Sequence, residues 1–192
     1  MKNNIIGRKS EQDTLARIYE SRQSEFVAIC GRRRVGKTFL VREYFEQEMV
    51  FQASGLAGGN TQEQLKNFFY TLRRYDRKVS SVPHDWLDAF EMLISYLDSL
   101  SQVERKVVFL DELPWMDTVC SDFISALEHF WNGWASARRD IVLIVCGSAT
   151  SWMMDKLINN HGGLYGRLTH RLFLQPFSLG ESEAFLKTKG MM

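Results

Sequence analysis

The segment GRRRVGKT, residues 31–38, has the residue types and the spacing that hold a chain of phosphate groups. It matches the pattern G-x-x-x-x-G-K-[ST] from Gly31 to Thr38, between an apolar run typical of a strand and a segment typical of a helix. Glycines let this backbone turn tightly, so that successive N–H groups point at phosphate oxygens. The positive end of the following helix strengthens the attraction. The segment therefore predicts a nucleotide site.

Two side chains of this loop have chemistry of their own. Lys37 is expected to reach the β- and γ-phosphates, and the Thr38 hydroxyl is expected to bind Mg²⁺. Three arginines occupy free positions of the pattern, where backbone amides form the cradle and side chains need not touch phosphate. They are interpreted as a solvated basic rim that aids nucleotide capture. The predicted nucleotide contacts are Gly31, Arg32, Arg33, Arg34, Val35, Gly36, Lys37, Thr38 and Phe39.

Nucleic-acid binding is an alternative use of the arginines, supported by the nearby basic segment RRYDRK, residues 73–78. The aromatic segment HFWNGW, residues 129–134, could stack on bases. Its tryptophans, however, share a helical face with other apolar residues, which favours core packing. The net charge of +1 gives no general attraction to nucleic acid.

A pair of carboxylates follows the apolar segment KVVFL, residues 106–110. Asp111 and Glu112 are expected at the binding edge, because ligands of α/β sheets bind at the carboxyl ends of the strands. Asp111 is predicted to hold Mg²⁺, mostly through water, and Glu112 to orient and polarise the attacking water as general base. An acidic loop without chemistry is the alternative for the pair alone. The combination with the phosphate loop favours catalysis.

Other motifs separate the classes of nucleotide-binding protein. A GTPase carries an N-K-x-D motif that reads the base, and this sequence has none. An ABC-type ATPase carries a signature similar to L-S-G-G-Q, whereas the Gly-rich SGLAGGN, residues 54–60, comes too early and in the wrong order. A small-molecule kinase rarely needs a Glu after the Mg²⁺-binding Asp, because its acceptor is a substrate hydroxyl rather than water. Hydrolysis of ATP is therefore the favoured reaction.

The segment IVLIVCGSAT, residues 141–150, brings a third polar group to the same edge. Its apolar part predicts a buried strand, and Ser148 follows where the strand should end beside the carboxylate pair. Ser148 is therefore a candidate sensor of the γ-phosphate. The alternative is that Ser148 caps the next helix, a role that Thr150 or Ser151 could fill equally well.

Two arginines flank the start of the last apolar run. Arg167 closes a glycine-containing segment, and Arg171 opens the run RLFLQ. An arginine from a neighbouring subunit could neutralise charge on the transferring phosphoryl group, and either residue is a candidate for that finger. A surface salt bridge is the alternative for either residue, and Arg171 is expected to pair with a carboxylate of its own subunit.

Strands and helices alternate in the pattern that must position these groups. The predicted strands are FVAIC (26–30), MVFQA (49–53), KVVFL (106–110), IVLIVC (141–146) and RLFLQ (171–175). Apolar residues at helical spacing mark residues 61–75, 84–100 and 118–137, with a linker at 77–85. Most strands are apolar throughout, as strands covered on both faces are. The pattern predicts one α/β domain, a three-layer α/β/α P-loop NTPase sandwich with a mainly parallel five-stranded sheet.

The composition is that of a globular chain. Of 192 residues, 45% are hydrophobic and 24% are charged. The three scattered cysteines show no metal-ligand spacing and suggest reduced thiols, hence a cytoplasmic protein. No apolar run forms a signal peptide or reaches the length of about 18 residues that a membrane helix needs, so no membrane partner is expected.

In its ordered motifs, the chain resembles the AAA+ ATPases of the archaeal-type ATPase group, within the initiator- and STAND-like P-loop ATPases. The resemblance runs through IIGRKSEQDTL (5–15), GRRRVGKT (31–38), VVFLDELPWM (107–116), VCGSATSWM (145–153) and GGLYGRLTHRLFLQPFSLGE (162–181). It implies that Ile6 and Gly7 lie near adenine, that Ser148 is the first sensor and that Arg167 is the finger. It also implies ATP and Mg²⁺ as ligands.

The same resemblance implies parts beyond this sequence. The family continues into a helical lid, which would begin at about residues 190–192, and a sensor arginine in the lid would be missing here. The full-length form is expected to be a homo-oligomeric, nucleotide-dependent switch with slow ATP hydrolysis. The alternatives are an ATP-dependent interaction module with incidental turnover and a DNA-associated ATPase.

Overall fold

A computed structural model describes residues 5–159 and 163–190 of the chain. Within these residues the helices are α1 (Lys9–Glu20), α2 (Lys37–Tyr44), α3 (Thr61–Tyr75), α4 (Trp86–Ser99), α5 (Phe123–His129), α6 (Thr150–Met153) and α7 (Leu179–Thr188). The strands are β1 (Glu25–Cys30), β2 (Met49–Ser54), β3 (Lys106–Asp111), β4 (Ile141–Gly147) and β5 (His170–Phe173). Among the described helices, the length and apolar character that a bilayer crossing requires do not occur together. The alternation confirms the predicted α/β class.

The five strands form one parallel sheet in the order β2-β3-β4-β1-β5. In the register, Cys30 at the end of β1 lies opposite Gly147 at the end of β4, and Leu110 of β3 lies opposite Val145. The carboxyl ends of β1, β4 and β3 are therefore level. Consequently, the segments that follow these three strands meet at one edge, as ligand sites of α/β sheets require.

Side chains of β1, an inner strand of the sheet, alternate between two hydrophobic cores. Phe26 and Ala28 of β1 pack in the core that α3, α4 and α5 cover. Val27 and Ile29 point to the other face, where residues of α1 and α2 pack. All four are fully buried. The sheet is thus covered on both faces, which explains why its strands are apolar at consecutive positions.

Strand β5 differs from its prediction at residues 171–175. It begins at His170 and ends at Phe173, which pairs with Cys30 at the end of β1. Leu174 donates one last hydrogen bond to the Cys30 carbonyl, at 2.8 Å. Beyond this point β1 has turned into the phosphate loop, so Gln175 has no strand partner in register.

The single helix predicted over residues 118–137 is wrong. Cys120 has a positive φ of 57°, a conformation that does not continue a right-handed helix, and α5 begins only at Phe123. After His129 the backbone passes through a π-helical turn, Phe130–Trp134, and a 3₁₀ turn. Trp131 is buried in the core, which supports core packing over base stacking for this segment.

Candidate functional site

The backbone of residues 31–38 forms the loop that the sequence predicts between β1 and α2. Gly36 stands at the N-cap of α2 with φ 91°, a conformation that side chains with a Cβ rarely adopt. At Gly31, an added Cβ would lie 2.5 Å from the Leu174 carbonyl oxygen. Gly36 is therefore required by its backbone conformation, and Gly31 is required because a larger residue would not fit.

Lys37 is the first residue of α2 and is only 6% exposed. Its Nζ donates to the backbone carbonyls of Gly31 and Arg32, at 2.9 Å each. The ammonium group thus lies inside the curve of the loop. This is where a cation can meet phosphate oxygens bound by the loop amides.

A direct hydrogen bond joins the phosphate loop to the end of β3. The Thr38 hydroxyl donates to Oδ2 of Asp111 at 2.7 Å, and the other carboxylate oxygen accepts from the backbone N–H of Glu112 at 2.9 Å. Asp111 is 5% exposed. The fold therefore brings together the two predicted metal ligands from positions 73 residues apart.

These oxygen atoms fit Mg²⁺, which prefers oxygen ligands and usually keeps several waters. Among the described residues, no cluster of three or more His, Cys, Asp or Glu side chains could hold a metal by itself. Such a cluster is not needed for Mg²⁺, which binds through one or two protein ligands together with substrate phosphates. Thr38 and Asp111 are the residues that could supply these protein oxygens.

Glu112 and Ser148 also meet at this edge. The Ser148 hydroxyl donates to Oε2 of Glu112 at 3.1 Å, and it accepts from Nε of Arg33 at 3.5 Å. The hydroxyl thus faces the predicted base, as a γ-phosphate sensor requires. These contacts favour the sensor interpretation of Ser148 over a helix-capping one.

An open cleft of about 600 Å³ adjoins the loop on the side of Glu112. We call it the phosphate cleft; its lining includes Arg33, Lys37, Thr38, Gly55, Glu112 and Trp115. Gly55 belongs to the Gly-rich segment SGLAGGN, residues 54–60, which follows β2. Its position in the sequence rules out an ABC signature and predicts no other role. A Cβ on Gly55 would lie 2.5 Å from the Glu112 carbonyl oxygen, so this segment packs closely against the acidic turn.

A second cleft of about 530 Å³ lies on the other side of the loop. We call it the base cleft; its lining includes Ile6, Val35, Phe39, Phe177, Phe185 and Lys189. The side chain of Phe39 is half exposed there, at 51%. Ile6, Val35 and Phe39 were predicted nucleotide contacts, whereas Phe177, Phe185 and Lys189 were not found from the sequence.

Arg8 connects segments that line the base cleft. The sequence did not predict it as a site residue. Its Nη2 donates to the carbonyl oxygens of Val35, at 3.0 Å, and Gln175, at 2.6 Å. Its guanidinium lies 4.7 Å from the centre of the Phe177 ring. The G-R pair at residues 7–8 was the available signal, but the sequence does not indicate which distant carbonyls the arginine binds.

Gly7 does not line the base cleft itself. It has φ 68°, and an added Cβ would lie 2.9 Å from the Glu181 side chain. Next to it, the backbone N–H of Arg8 donates to Oε1 of Glu181 at 2.7 Å. This bond and that from the Ser178 backbone lower the pKa of Glu181. The carboxylate therefore ties the N-terminal segment to the first turn of α7.

The two candidate finger arginines lie away from these contacts. Arg167 is exposed in the turn before β5, and Arg171 is exposed on β5. Neither side chain has an ion pair or hydrogen bond within the described part of the chain. The prediction that Arg171 pairs with a carboxylate of its own subunit is therefore wrong for the described residues.

The basic segment 73–78 lies at the end of α3 and in the following turn. Met191 and Met192, at the predicted start of the lid, lie outside the described residues.

Two buried cysteines lie beneath the loop at the ends of β1 and β4. Burial raises the pKa of Cys30 to about 11. Burial and then the nearby charge of Asp111 raise the pKa of Cys146 far above its ordinary value. Both thiols stay protonated at neutral pH, so neither is a nucleophile candidate.

Fold and site together define a P-loop ATPase domain. More narrowly, the chain belongs to the family described as an ATPase domain predominantly from Archaea, whose sequence model matches residues 6–190. This match confirms the resemblance to the archaeal-type AAA+ ATPases.

Two relatives come from Methanocaldococcus jannaschii. An uncharacterized protein is 25% identical over 181 residues, which cover 94% of this chain and 38% of that protein. An uncharacterized ATP-binding protein is 35% identical over 50 residues, which cover 26% of this chain and 85% of that protein. This chain therefore spans well under half the length of the first relative.

Solved structures share the fold at low sequence identity. The Walker-type ATPase of Pyrococcus abyssi has a TM-score of 0.67 and 20% identity, covering 96% of this chain and 57% of that one. Cdc6p of Pyrobaculum aerophilum has a TM-score of 0.63 and 14% identity, and the match covers 96% of this chain and 49% of that one. The structure of Drosophila ORC bound to DNA has a TM-score of 0.63 and 15% identity, and the match covers 98% of this chain and 47% of that one. This chain spans about half the length of these proteins.

Proposed function

We propose that this chain binds Mg·ATP and hydrolyses it slowly to ADP and phosphate. The observation that carries the proposal is the hydrogen bond between Thr38 and Asp111, at 2.7 Å, which unites the phosphate loop with the acidic end of β3. Lys37 and Glu112 line the cleft beside this bond. The site thus combines a phosphate cradle, two oxygen ligands for a cation and a carboxylate base.

In this mechanism, each residue has a separate role. The loop amides and Lys37 bind the β- and γ-phosphates. Thr38 and Asp111 would hold Mg²⁺, which when bound would neutralise phosphate charge. Glu112 accepts a proton from the attacking water as the water oxygen forms its bond to the γ-phosphorus. The bond between that phosphorus and the β–γ bridging oxygen breaks, and its electron pair leaves with ADP.

The base cleft would receive the adenine. Ile6, Val35 and Phe39 offer an apolar lining on the N-terminal side of the cleft, and Phe177 and Phe185 offer it on the other. Purine rings bury apolar surface and stack on aromatic side chains. The phosphate loop separates the two clefts, which suits a nucleotide that crosses the loop with its base on one side.

The proposed role is a nucleotide-dependent switch. Glu181 connects the Arg8 backbone to α7, and Phe185 and Lys189 at the end of this helix line the base cleft. A nucleotide in the cleft would thus contact α7 directly. Parts that follow α7 in a longer protein would receive the nucleotide state through this helix, and assembly into a homo-oligomer would let the exposed Arg167 reach the site of a neighbouring chain. The free cysteines fit a reducing cytoplasm.

Replacement of Lys37 by alanine tests nucleotide binding. Lys37→Ala is expected to lower the affinity for a fluorescent ATP analogue at least about tenfold, because the loop loses its only buried ammonium. The variant should still fold, because the side chain ends in the site and its hydrogen bonds go to two carbonyls of the loop alone. Lys66→Ala, on the exposed face of α3, is the matched control and should bind as the wild type does. Unchanged affinity in folded Lys37→Ala protein would sink the proposal.

A further inference from the structure

We propose that Arg33 is a catalytic residue that contacts the γ-phosphate bound to its own chain and neutralises charge as the phosphoryl group transfers. This inference rests on the proposed ATP hydrolysis and extends it. The three arginines of the loop occupy free positions in the sequence pattern, and the pattern assigns their side chains no role. In the structure, the three side chains have different surroundings.

Arg33 alone among the three is bonded into the catalytic edge. Its Nε lies 3.5 Å from the Ser148 hydroxyl, which in turn lies 3.1 Å from Oε2 of Glu112. Arg33 also lines the phosphate cleft together with Lys37 and Thr38. The guanidinium therefore stands on the same side of the loop as the predicted base.

The other two arginines are placed differently. The backbone carbonyl of Arg32 accepts from Lys37, and its side chain lines neither cleft. Arg34 lines both clefts and has a positive φ of 66°. Its position between the clefts suits the middle of the nucleotide rather than the transferring group.

Among the residues that the structure describes, no carboxylate forms an ion pair with Arg33, although Glu112 is one hydroxyl away through Ser148. An unpaired guanidinium beside a site for several phosphate charges attracts the charge that develops on the equatorial oxygens. Its planar fork can bind two oxygens at once, which an ammonium cannot do.

The contact to Ser148 adds a positioning effect. Since the hydroxyl accepts from Arg33, its proton is directed at Oε2 of Glu112. The remaining carboxylate oxygen of Glu112 is then left to receive the proton of the attacking water. Arg33, Ser148 and Glu112 would thus act as one hydrogen-bonded group, with the phosphoryl group and the water between its two ends.

The test compares Arg33→Ala and Arg33→Lys with the wild-type chain in two assays. In the first, Arg33→Ala should lower kcat for ATP on the order of 10²-fold or more, while KM changes less than about threefold. In the second, the affinity for Mg·ADP with aluminium fluoride, which mimics the transferring group, should fall at least about tenfold, while the affinity for ADP alone is unchanged. Arg33→Lys should restore little of either.

Arg22→Ala is the control for the loss of one positive charge. Arg22 is exposed between α1 and β1, at the opposite end of the sheet, and its removal should alter neither assay. The inference is overturned if Arg33→Ala binds ADP with aluminium fluoride as tightly as the wild type. A wild-type chain that binds this complex but hydrolyses no ATP contradicts the proposed function instead, and the affinity comparison then decides only whether Arg33 contacts the position of the γ-phosphate.

Discussion

At the scale of single residues, the backbone of Glu112 is unusual. It has φ 47° and ψ 44°, in the left-handed region that residues with a Cβ seldom occupy. The turn is held by the Asp111 carboxylate, which accepts from the Glu112 N–H, and it is followed by Leu113, which is fully buried. Such conformations persist where the surrounding structure determines them, often at functional sites. The turn redirects the chain at once, so that adjacent carboxylates have different partners.

Glu112→Gln separates binding from hydrolysis. The amide keeps the size of the side chain and can still accept from Ser148, but it cannot take a proton from water. ATP should remain bound while turnover falls by a factor on the order of 10²–10⁴, the range for loss of a general base. Single-turnover hydrolysis and analogue binding, measured on the same protein, check both parts.

Glu46→Gln is the matched control, because Glu46 is exposed just after α2. It should leave both the binding and the turnover of ATP as in the wild type. Hydrolysis at the wild-type rate by Glu112→Gln protein would mean that another group acts as the base.

Residues whose place at the candidate site follows from a local pattern could be predicted from the sequence. Lys37 and Thr38 belong to a loop motif, and Asp111 ends an apolar strand; the structure places all three side by side. Arg8 could not be assigned in this way, because its partners are carbonyls 27 and 167 positions away. Backbone carbonyls occur at every position, so the sequence carries no signal that selects these two.

At the scale of elements, the two ends of the sheet carry different sets of charges. The carboxyl end holds the candidate site. At the amino end, Lys106 of β3 is buried and donates to Asp140, which precedes β4, at 2.7 Å. Arg138 donates two further hydrogen bonds to the same carboxylate, at 2.8 Å each. These charges are satisfied by each other, which indicates a structural role.

The ion-pair cluster at Asp140 makes stability depend on pH in acid. The hydrogen bonds from Arg138, followed by the one from Lys106, hold the pKa of Asp140 far below its usual range. A carboxyl group whose pKa is lowered by folding contributes stability that is complete above its unfolded pKa of about 3.9 and is lost as the pH falls below it. Asp140→Asn should lower the free energy of unfolding by roughly 3 kcal/mol at neutral pH, because buried Lys106 loses its partner.

Urea unfolding between pH 7 and pH 2.5 measures this effect, and the difference between wild type and Asp140→Asn should shrink in acid. Asp98→Asn is the control: Asp98 also pairs with Arg138, but its side chain is 47% exposed, so its loss should cost less than about 1 kcal/mol. A difference that stays constant over the whole pH range would contradict the assignment to Asp140.

Most elements could be predicted because their patterns are local. All five strands were found, since apolar runs of this length indicate buried parallel strands. The region 118–137 could not be predicted fully, because apolar spacing does not distinguish an α-helix from one interrupted by a π-turn. There, packing of Phe130 and Trp131 against the sheet accompanies a local winding that differs from the ideal period.

At the scale of the whole molecule, both ends of the described chain meet at the base cleft. Ile6 and Arg8 form one side, and Phe177, Phe185 and Lys189 form the other. The contact between Arg8 and Glu181 spans 173 positions of sequence. The chain ends are thus part of the candidate nucleotide site. Any lid or effector domain after α7 would be attached next to the base cleft.

The contributions of Arg33 and Arg167 to turnover should depend differently on oligomer formation. Arg33 lies in the phosphate cleft of its own chain, so its contribution should not depend on protein concentration. Arg167 is exposed and lies in a turn after the elements that build its own phosphate site. If Arg167 acts on a neighbour, specific activity should rise with concentration as oligomers form, above a basal level that Arg33 maintains.

Mixing two impaired variants tests the action of Arg167 on a neighbouring chain. Lys37→Ala protein has a defective phosphate loop but an intact Arg167, and Arg167→Ala protein has the reverse. In mixed oligomers of a longer chain that includes the lid, some interfaces join an intact loop to an intact arginine, and turnover should recover to a fraction of the wild-type rate. No recovery in a mixture shown to form mixed oligomers would leave Arg167 without a role in trans. The arginine that neutralises phosphoryl charge would then be sought within the chain, where Arg33 already lines the phosphate cleft.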